Sequence, residues 1–126
     1  MTNPLLTKVF TATGVAIAGY LIVAAAAGGK VELANAANDL LLGATDSMGC
    51  PAGGQLDIAQ AGWSEVRCGG NVSFGDPLTS DANGKAIKAV PVVGQMVRVI
   101  GFAQADAVAD DIIPYQVAPC VLATPA

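Results

Sequence analysis

Two segments of this chain combine residue types that nucleophilic and phosphate-binding sites use. Residues 62–66 read Gly-Trp-Ser-Glu-Val, which is similar to the nucleophile elbow of serine hydrolases but lacks its second glycine. The chain contains no histidine, so a Ser-His-Asp triad cannot form, and no sequence pattern points to a Ser–Lys pair. Residues 79–85 end in Gly-Lys, but Thr79 stands where a phosphate loop needs glycine and Ala86 where it needs a magnesium-binding hydroxyl.

The sequence contains no convincing metal-binding motif either. Asp81, Asn83 and Gly84 resemble a fragment of a calcium loop, but the closing glutamate is missing, so we interpret them as turn residues. Asp110 and Asp111 have no matching second carboxylate motif and indicate a solvated loop. We therefore predict no metal, no cofactor and no enzymatic activity; an unseen site built on a Ser–Lys or carboxylate pair is the much weaker alternative.

The cysteine pattern supports neither zinc nor a disulfide scaffold. The three cysteines are Cys50, Cys68 and Cys120, with no Cys-x-x-Cys motif. Zinc would lack a fourth ligand, and disulfide-rich domains normally carry an even number of cysteines. The pattern is typical of reduced thiols that pack as small hydrophobic side chains.

The composition points to a covered surface. Charged residues make up 13% of the 126 residues, against about 25% in ordinary soluble domains, while 53% are hydrophobic, mostly Ala and Val. The net charge is −4 and the six cations are scattered, which argues against direct nucleic-acid binding. We interpret the scarcity of charge as a sign that partner protein covers much of the surface; a thinly charged monomer is the alternative.

An apolar stretch over residues 9–27 contains no charged residue and has the length of a membrane span. It could also be a secretory signal over residues 1–27, with Lys8 before it. Its many Ala, Gly and Thr residues and the strand formers over residues 17–23 favour a β-hairpin instead, with Gly28 and Gly29 as the turn and residues 30–33 as the second strand. We expect no membrane segment.

Several short strands separated by turn residues predict a mainly β fold: a compact small β-barrel or sandwich with hairpins and at most one short helix. Asp-Pro at 76–77 and Asn83-Gly84 predict a hairpin with a type I′ turn. Pro114 should place the last strand at an edge or a bulge. The other predicted strands cover residues 40–45 (or a helix over 34–42), 55–60, 63–68 with a turn at Gly62 before it, 95–103 and 111–117.

The chain is predicted to comprise an extended N-terminal arm over residues 1–10 and a single β-rich domain over residues 11–126. An arm of this kind gains order by lying on a partner, and the alternative is a frayed terminus. Trp63, the only tryptophan, and Arg98, among apolar neighbours on its strand face, fit either the core or a protein interface. The candidate interface residues are Asn3, Pro4, Leu5, Leu6, Val9, Phe10, Trp63 and Arg98.

The order of several segments is also informative. These are residues 3–8, 42–47, 75–84, 99–103 and 117–119, of which 75–84 is the most specific. Together they resemble a family of tailed-phage capsid decoration (cement) proteins. The resemblance implies a homotrimeric β domain in the virion, made in the host cytoplasm, which binds the major capsid protein on the outside of an HK97-type shell at local three-fold positions. It implies no catalytic or cofactor residue. The alternative function is an exported β domain whose residues 1–27 are a signal peptide.

Overall fold

The computed structural model describes residues 3–14, 16–36, 40–45, 49–90, 93 and 96–123. Within these ranges the chain forms strands joined by turns and one short 3-10 helix over Ala27–Gly29. The strands are β1 Asn3–Thr11, β2 Ile22–Ala25, β3 Val31–Leu33, β4 Leu41–Ala44, β5 Gln55–Arg67, β6 Pro77–Ser80, β7 Ala86–Lys88, β8 Met96–Ala103 and β9 Ile112–Ala123.

The strands form two antiparallel sheets, which confirms the prediction of a compact, mainly β domain. The larger sheet has the order β1-β5-β9-β8-β6-β7 and the smaller one the order β3-β2-β4. The larger sheet does not close, because β1 and β7 stay at its edges, so the structure corresponds to packed open sheets rather than to a barrel. Strand β4 packs on β5, β8 and β9 and so joins the two sheets.

The main core lies between the two sheets and is lined by fully buried side chains such as Ile22, Val66 and Leu78. Tyr115, at 0% exposure, is the largest of them. Neighbouring apolar side chains, among them Ile58 and Val31, form a second cluster where β1 and β5 meet the smaller sheet.

The apolar N-terminal stretch forms the predicted hairpin. Strands β2 and β3 pair antiparallel across Gly28 and Gly29, which both have positive φ. The first strand begins at Ile22 rather than at residue 17, because the chain turns at Gly19 and Tyr20. Among the described residues, no helix is long and apolar enough to cross a membrane.

The predicted turn at Gly62 is wrong. Strand β5 continues through this residue for 13 residues in total, and Gly62 lies opposite Pro4. The register between β1 and β5 shifts directly after this pair, and Gly62 has a φ of 89°. Glycine accepts this conformation without a Cβ clash, so the irregularity bends the ribbon instead of ending the strand.

The hairpin of β6 and β7 is present, but its turn is not the predicted type I′. Only Gly84, with φ 75°, has positive φ, whereas a type I′ turn needs it at Asn83 as well. The Asp81 N–H donates to the Lys85 carbonyl at 2.9 Å, which closes a three-residue loop. The Asp81 Oδ1 accepts hydrogen bonds from the N–H groups of Asn83 (2.8 Å) and Lys85 (2.9 Å). Loops of three residues favour a left-handed residue in the last position, which Gly84 supplies.

The edge position predicted from Pro114 is also wrong. Strand β9 lies inside the larger sheet between β5 and β8. The Pro114 carbonyl faces β8 and accepts a hydrogen bond from the Gln104 N–H, just beyond the end of that strand. The position of the missing proline N–H faces β8 as well, where the pairing of β8 with β9 ends, so the sheet tolerates the proline there. A bulge does occur in β9, but at residues 118–119, because Gly101 pairs with Val117 while Val99 pairs with Cys120.

The residues predicted to form the arm are extended wherever the structure describes them. Strand β1 lies along β5, from Asn3 opposite Trp63 to Thr11 opposite Gln55. Met1 and Thr2 lie outside the described residues. The division into an arm over 1–10 and a domain over 11–126 stays a prediction. Of the helix considered over residues 34–42, positions 37–39 lie outside the description, and Leu41 and Leu42 belong to β4.

Candidate interaction surfaces

An aromatic row crosses the middle of the larger sheet. Trp63 of β5 lies opposite Gln116 of β9, which lies opposite Phe102 of β8. The next row contains Ser64 and Tyr115, which are buried in the core. Successive side chains of a strand point to opposite faces, so Trp63, Gln116 and Phe102 point away from that core. Trp63 is 40% exposed, so it is available for contact with a partner.

The same outer face continues along β5 and β9. Glu65 lies opposite Pro114, and Arg67 opposite Ile112, which is 37% exposed. Together with the aromatic row (Trp63, Gln116 and Phe102) these side chains form a surface of mixed apolar and charged character. Tryptophan and arginine are the residue types that most often carry binding energy at protein interfaces. This surface suits protein–protein contact.

The N-terminal strand borders this surface. The register places Asn3 beside Trp63 and Pro4 beside Gly62, and Leu5 and Leu6 follow on the same strand. Val9 is 54% exposed. Phe10, by contrast, packs against the second core cluster. Strand β1 thus brings Asn3 and Pro4 next to Trp63, whereas Val9 and Phe10 lie opposite Asp57 and Leu56, further along β5.

Arg98 lies apart from Trp63. It is four residues from Phe102 along β8, or about 13 Å in an extended strand. Its cross-strand partner is Val121, and both line a pocket of about 210 Å³ between β4 and the β8–β9 ribbon. Leu41 lines the same pocket from the smaller sheet. Among the described residues Arg98 makes no ion pair, so its charge is available to a partner.

A second, polar pocket of about 630 Å³ was not predicted from the sequence. The segment 18–21 lines it together with Arg67, Lys85 and Asp110. Lys85 Nζ lies 2.7 Å from Asp110 Oδ1, and Arg67 Nη1 donates to the Asp110 carbonyl at 3.0 Å. Tyr20 and Asp110 have φ values of 62° and 71°, the left-handed region that non-glycine residues rarely adopt. These contacts join three distant parts of the chain.

No family model matches the sequence, and no curated protein matches it. A solved structure does match. The chain is similar to the crystal structure of head fiber gp8.5 N base in bacteriophage phi29, with a TM-score of 0.62 and 18% sequence identity. The match covers 90% of this chain and 95% of that chain. At this identity the comparison establishes that the two proteins share a fold.

The polar groups of this fold are used mainly for structure. The hydrogen bond and charge of Lys85 lower the pKa of the exposed Asp110 carboxyl. Asp81 caps the hairpin turn, Asp106 accepts the N–H of Phe74 at 2.8 Å, and Asp111 accepts the N–H of Val108 at 3.0 Å. The calcium-like fragment therefore forms a turn, as interpreted. Asp110 and Asp111 lie exposed in a loop, as predicted, where Asp110 pairs with Lys85 and Asp111 caps the loop at Val108.

The buried thiol of Cys68 offers little reactivity. Burial, and secondarily the charge of Asp111, raises the pKa of the Cys68 thiol to about 11, so it stays protonated at neutral pH and is a weak nucleophile. Within the described ranges no three His, Cys, Asp or Glu side chains form a group that could hold a metal ion.

Proposed function

We propose that the chain is a structural protein of a phage head that attaches to the outside of the capsid shell. The observation that carries this proposal is the fold shared with the phi29 head fiber base over 90% of the chain. The segment order of the sequence, which resembles phage decoration proteins, points independently to the same place. The exposed Trp63 and the free edge of β1 supply surfaces suited to such attachment.

In its finer form, the proposal is a homotrimeric decoration protein at local three-fold positions that stabilises contacts between major capsid proteins. Attachment of this kind requires many modest contacts repeated by symmetry and no chemistry. A trimer engages several capsid subunits at once, so avidity can raise the affinity of a single site by about 10²–10⁴. The protein is then a component of the outer virion surface and contacts no nucleic acid.

The aromatic row is the proposed contact with the shell. Trp63 lies at one end of this row and is bordered by β1, whose outer edge is unpaired among the described strands. An exposed edge accepts an extended segment of a partner through backbone hydrogen bonds, while side chains beside it provide specificity. The N-terminal strand and Trp63 therefore act as one surface.

Removal of residues 2–10 is a poor test of this surface, because it also removes most of a paired strand of the larger sheet. Substitution Trp63→Ala is sharper, since the side chain points away from the core. We expect Trp63→Ala to reduce co-sedimentation with undecorated shells of the cognate phage at least ~10-fold. The matched control is Phe74→Ala, another exposed aromatic residue at 68% exposure, outside the row. Equal binding of Trp63→Ala and the unaltered chain would remove Trp63 from the proposal, and no binding of the unaltered chain would overturn the proposal itself.

The exported-domain alternative receives no support from the packing. Cleavage after residue 27 would remove Ile22 and Val23, which are fully buried, and Ile17 at 3% exposure. It would also remove β1 and β2. These residues belong to the folded domain, so the proposal does not include their removal.

A further inference from the structure

Most described charged side chains are already used within the fold. Asp76 and Asp110 pair with lysines, and Asp81, Asp106 and Asp111 accept backbone hydrogen bonds. Among the residues whose side chains the structure describes, a set that leaves out Lys8, the charged side chains without such a contact are Lys30, Glu32, Asp57 and Arg98. In a chain with only 13% charged residues, uncommitted charges are candidates for contacts with another molecule.

Two of these four charges offset each other locally. Lys30 and Glu32 are two residues apart in extended backbone, so their side chains lie on the same side of the chain. Arg98 and Asp57 have no such neighbour. They lie on different ribbons of the larger sheet, Asp57 on the β1–β5 ribbon and Arg98 on the β8–β9 ribbon.

The surroundings of Arg98 form an apolar surface with one positive charge. Met96, two residues earlier on the same face of β8, is 58% exposed, and Val121 opposite Arg98 is 46% exposed. The pocket beside them, about 210 Å³, is lined by aliphatic side chains, a proline and the exposed Cys120. Its size and charge suit one short carboxylate side chain.

The surroundings of Asp57 are opposite in charge to those of Arg98 and are also partly apolar. Leu56 and Ile58 on either side are buried, so Asp57 points outward. Its cross-strand partner is Val9, which is 54% exposed. The β1–β5 ribbon therefore presents one negative charge beside an exposed aliphatic side chain.

We propose that Asp57 of one copy of the chain enters the Arg98 pocket of the next copy, and that three such contacts close a ring. The inference rests on the homotrimer of the proposed function and names its interface. A closed ring with three-fold symmetry requires contacts between two different patches of the same chain, and these two patches are opposite in charge and alike in exposed aliphatic character. The occupant of the Arg98 pocket is thus a second copy of this chain.

A charge-swap experiment tests this interface. Arg98→Asp and Asp57→Arg each place like charges together, and we expect each to raise the concentration at which half of the chain is trimeric by at least ~10-fold. The double variant restores opposite charges and should recover most of the loss. Lys30→Asp and Glu32→Arg make the same charge changes on the offset pair and should leave the trimer unchanged. Sedimentation equilibrium measures the assembly, and circular dichroism checks that each variant is folded.

Three outcomes would overturn the inference: a trimer unaffected by either single swap, a double variant no better than the singles, or loss of the trimer in Glu32→Arg but not in Asp57→Arg. A monomeric unaltered chain at all accessible concentrations would overturn it as well. Co-sedimentation with shells is measured separately. Shell binding that persists when the swaps have no effect leaves the proposed attachment intact, and absent shell binding with a charge-dependent trimer contradicts the attachment alone.

Discussion

The hydroxyl of Tyr115 accepts a hydrogen bond from the backbone N–H of Ala44 at 3.2 Å, across 71 residues of sequence. Tyr115 lies in β9 of the larger sheet and Ala44 ends β4 of the smaller sheet. Both residues are buried, and Ser64 also forms a hydrogen bond with this hydroxyl. The contact holds the smaller sheet in place on the inner face of the larger one, whose outer face carries the aromatic row.

Removal of this hydroxyl should destabilise the fold. Tyr115→Phe keeps the ring but leaves the buried Ala44 N–H without a partner, which costs about 1–3 kcal/mol. Urea unfolding followed by circular dichroism measures the loss. Tyr20→Phe, at a partly exposed position, is the matched control and should change the free energy of unfolding little. Equal stability of Tyr115→Phe and the unaltered protein would show that the hydrogen bond does not join the sheets.

Stability should fall steeply in alkaline solution. Burial raises the pKa of Tyr115 to about 12 and that of the Cys68 thiol to about 11, from 10.0 and 9.0. Folding therefore favours the neutral forms. Their contribution is fully present below about pH 9, is lost as the pH rises through 9–11 for Cys68, and through 10–12 for Tyr115.

Thermal unfolding measured from pH 8 to pH 12 tests this dependence. Tyr115→Phe should be less stable at pH 8 but should lose less stability than the unaltered protein between pH 10 and 12. Parallel curves for the two proteins would contradict the assigned role of the buried hydroxyl.

The hairpin turn should tolerate no side chain at Gly84. A Cβ there would meet the Leu33 side chain and lie 3.1 Å from the Ile22 carbonyl, in a residue with φ 75°. Gly84→Ala is therefore expected to cost more than the ~1–2 kcal/mol of left-handed strain alone. Gly75→Ala provides the control, because Gly75 has φ 89° but open space around its Cβ position. Similar losses for both variants would mean that the turn does not pack on the smaller sheet.

The ion pair in the polar pocket should be visible by titration. Lys85 lowers the pKa of the Asp110 carboxyl, chiefly through their hydrogen bond, so Lys85→Met should raise that pKa toward its ordinary value. The pair favours folding at neutral pH and is lost as acid protonates Asp110. Carboxyl chemical shifts followed by NMR from pH 2 to pH 6 report the change. An unaltered Asp110 pKa in Lys85→Met would contradict the pairing.

Local sequence signals predicted the elements whose residues pair with near neighbours. The β6–β7 hairpin and strand β8 follow from alternation and from turn residues a few positions apart. Gly62 and Pro114 misled because their effect depends on partners far along the chain: Pro4 lies opposite Gly62, and the end of β8 lies beside Pro114. No local pattern encodes those pairings.

The candidate surfaces, too, could be predicted only where local sequence signals sufficed. Residue type and strand face single out Trp63 and Arg98 as candidates, but the sequence does not show that Trp63 aligns with Phe102 while Arg98 lies elsewhere. The polar pocket was missed altogether, since Tyr20, Lys85 and Asp110 meet only through the sheet order. A positive φ at Tyr20 has no signature in the sequence.

Attachment to the outside of a phage head is the central claim, and a cryo-electron-microscopy reconstruction tests it most directly. Undecorated shells of the cognate phage are incubated with the purified chain and reconstructed beside untreated shells. We predict additional density on the outer surface at local three-fold positions, into which three copies of this fold fit with the aromatic row facing the shell. Identical maps for treated and untreated shells would contradict the claim.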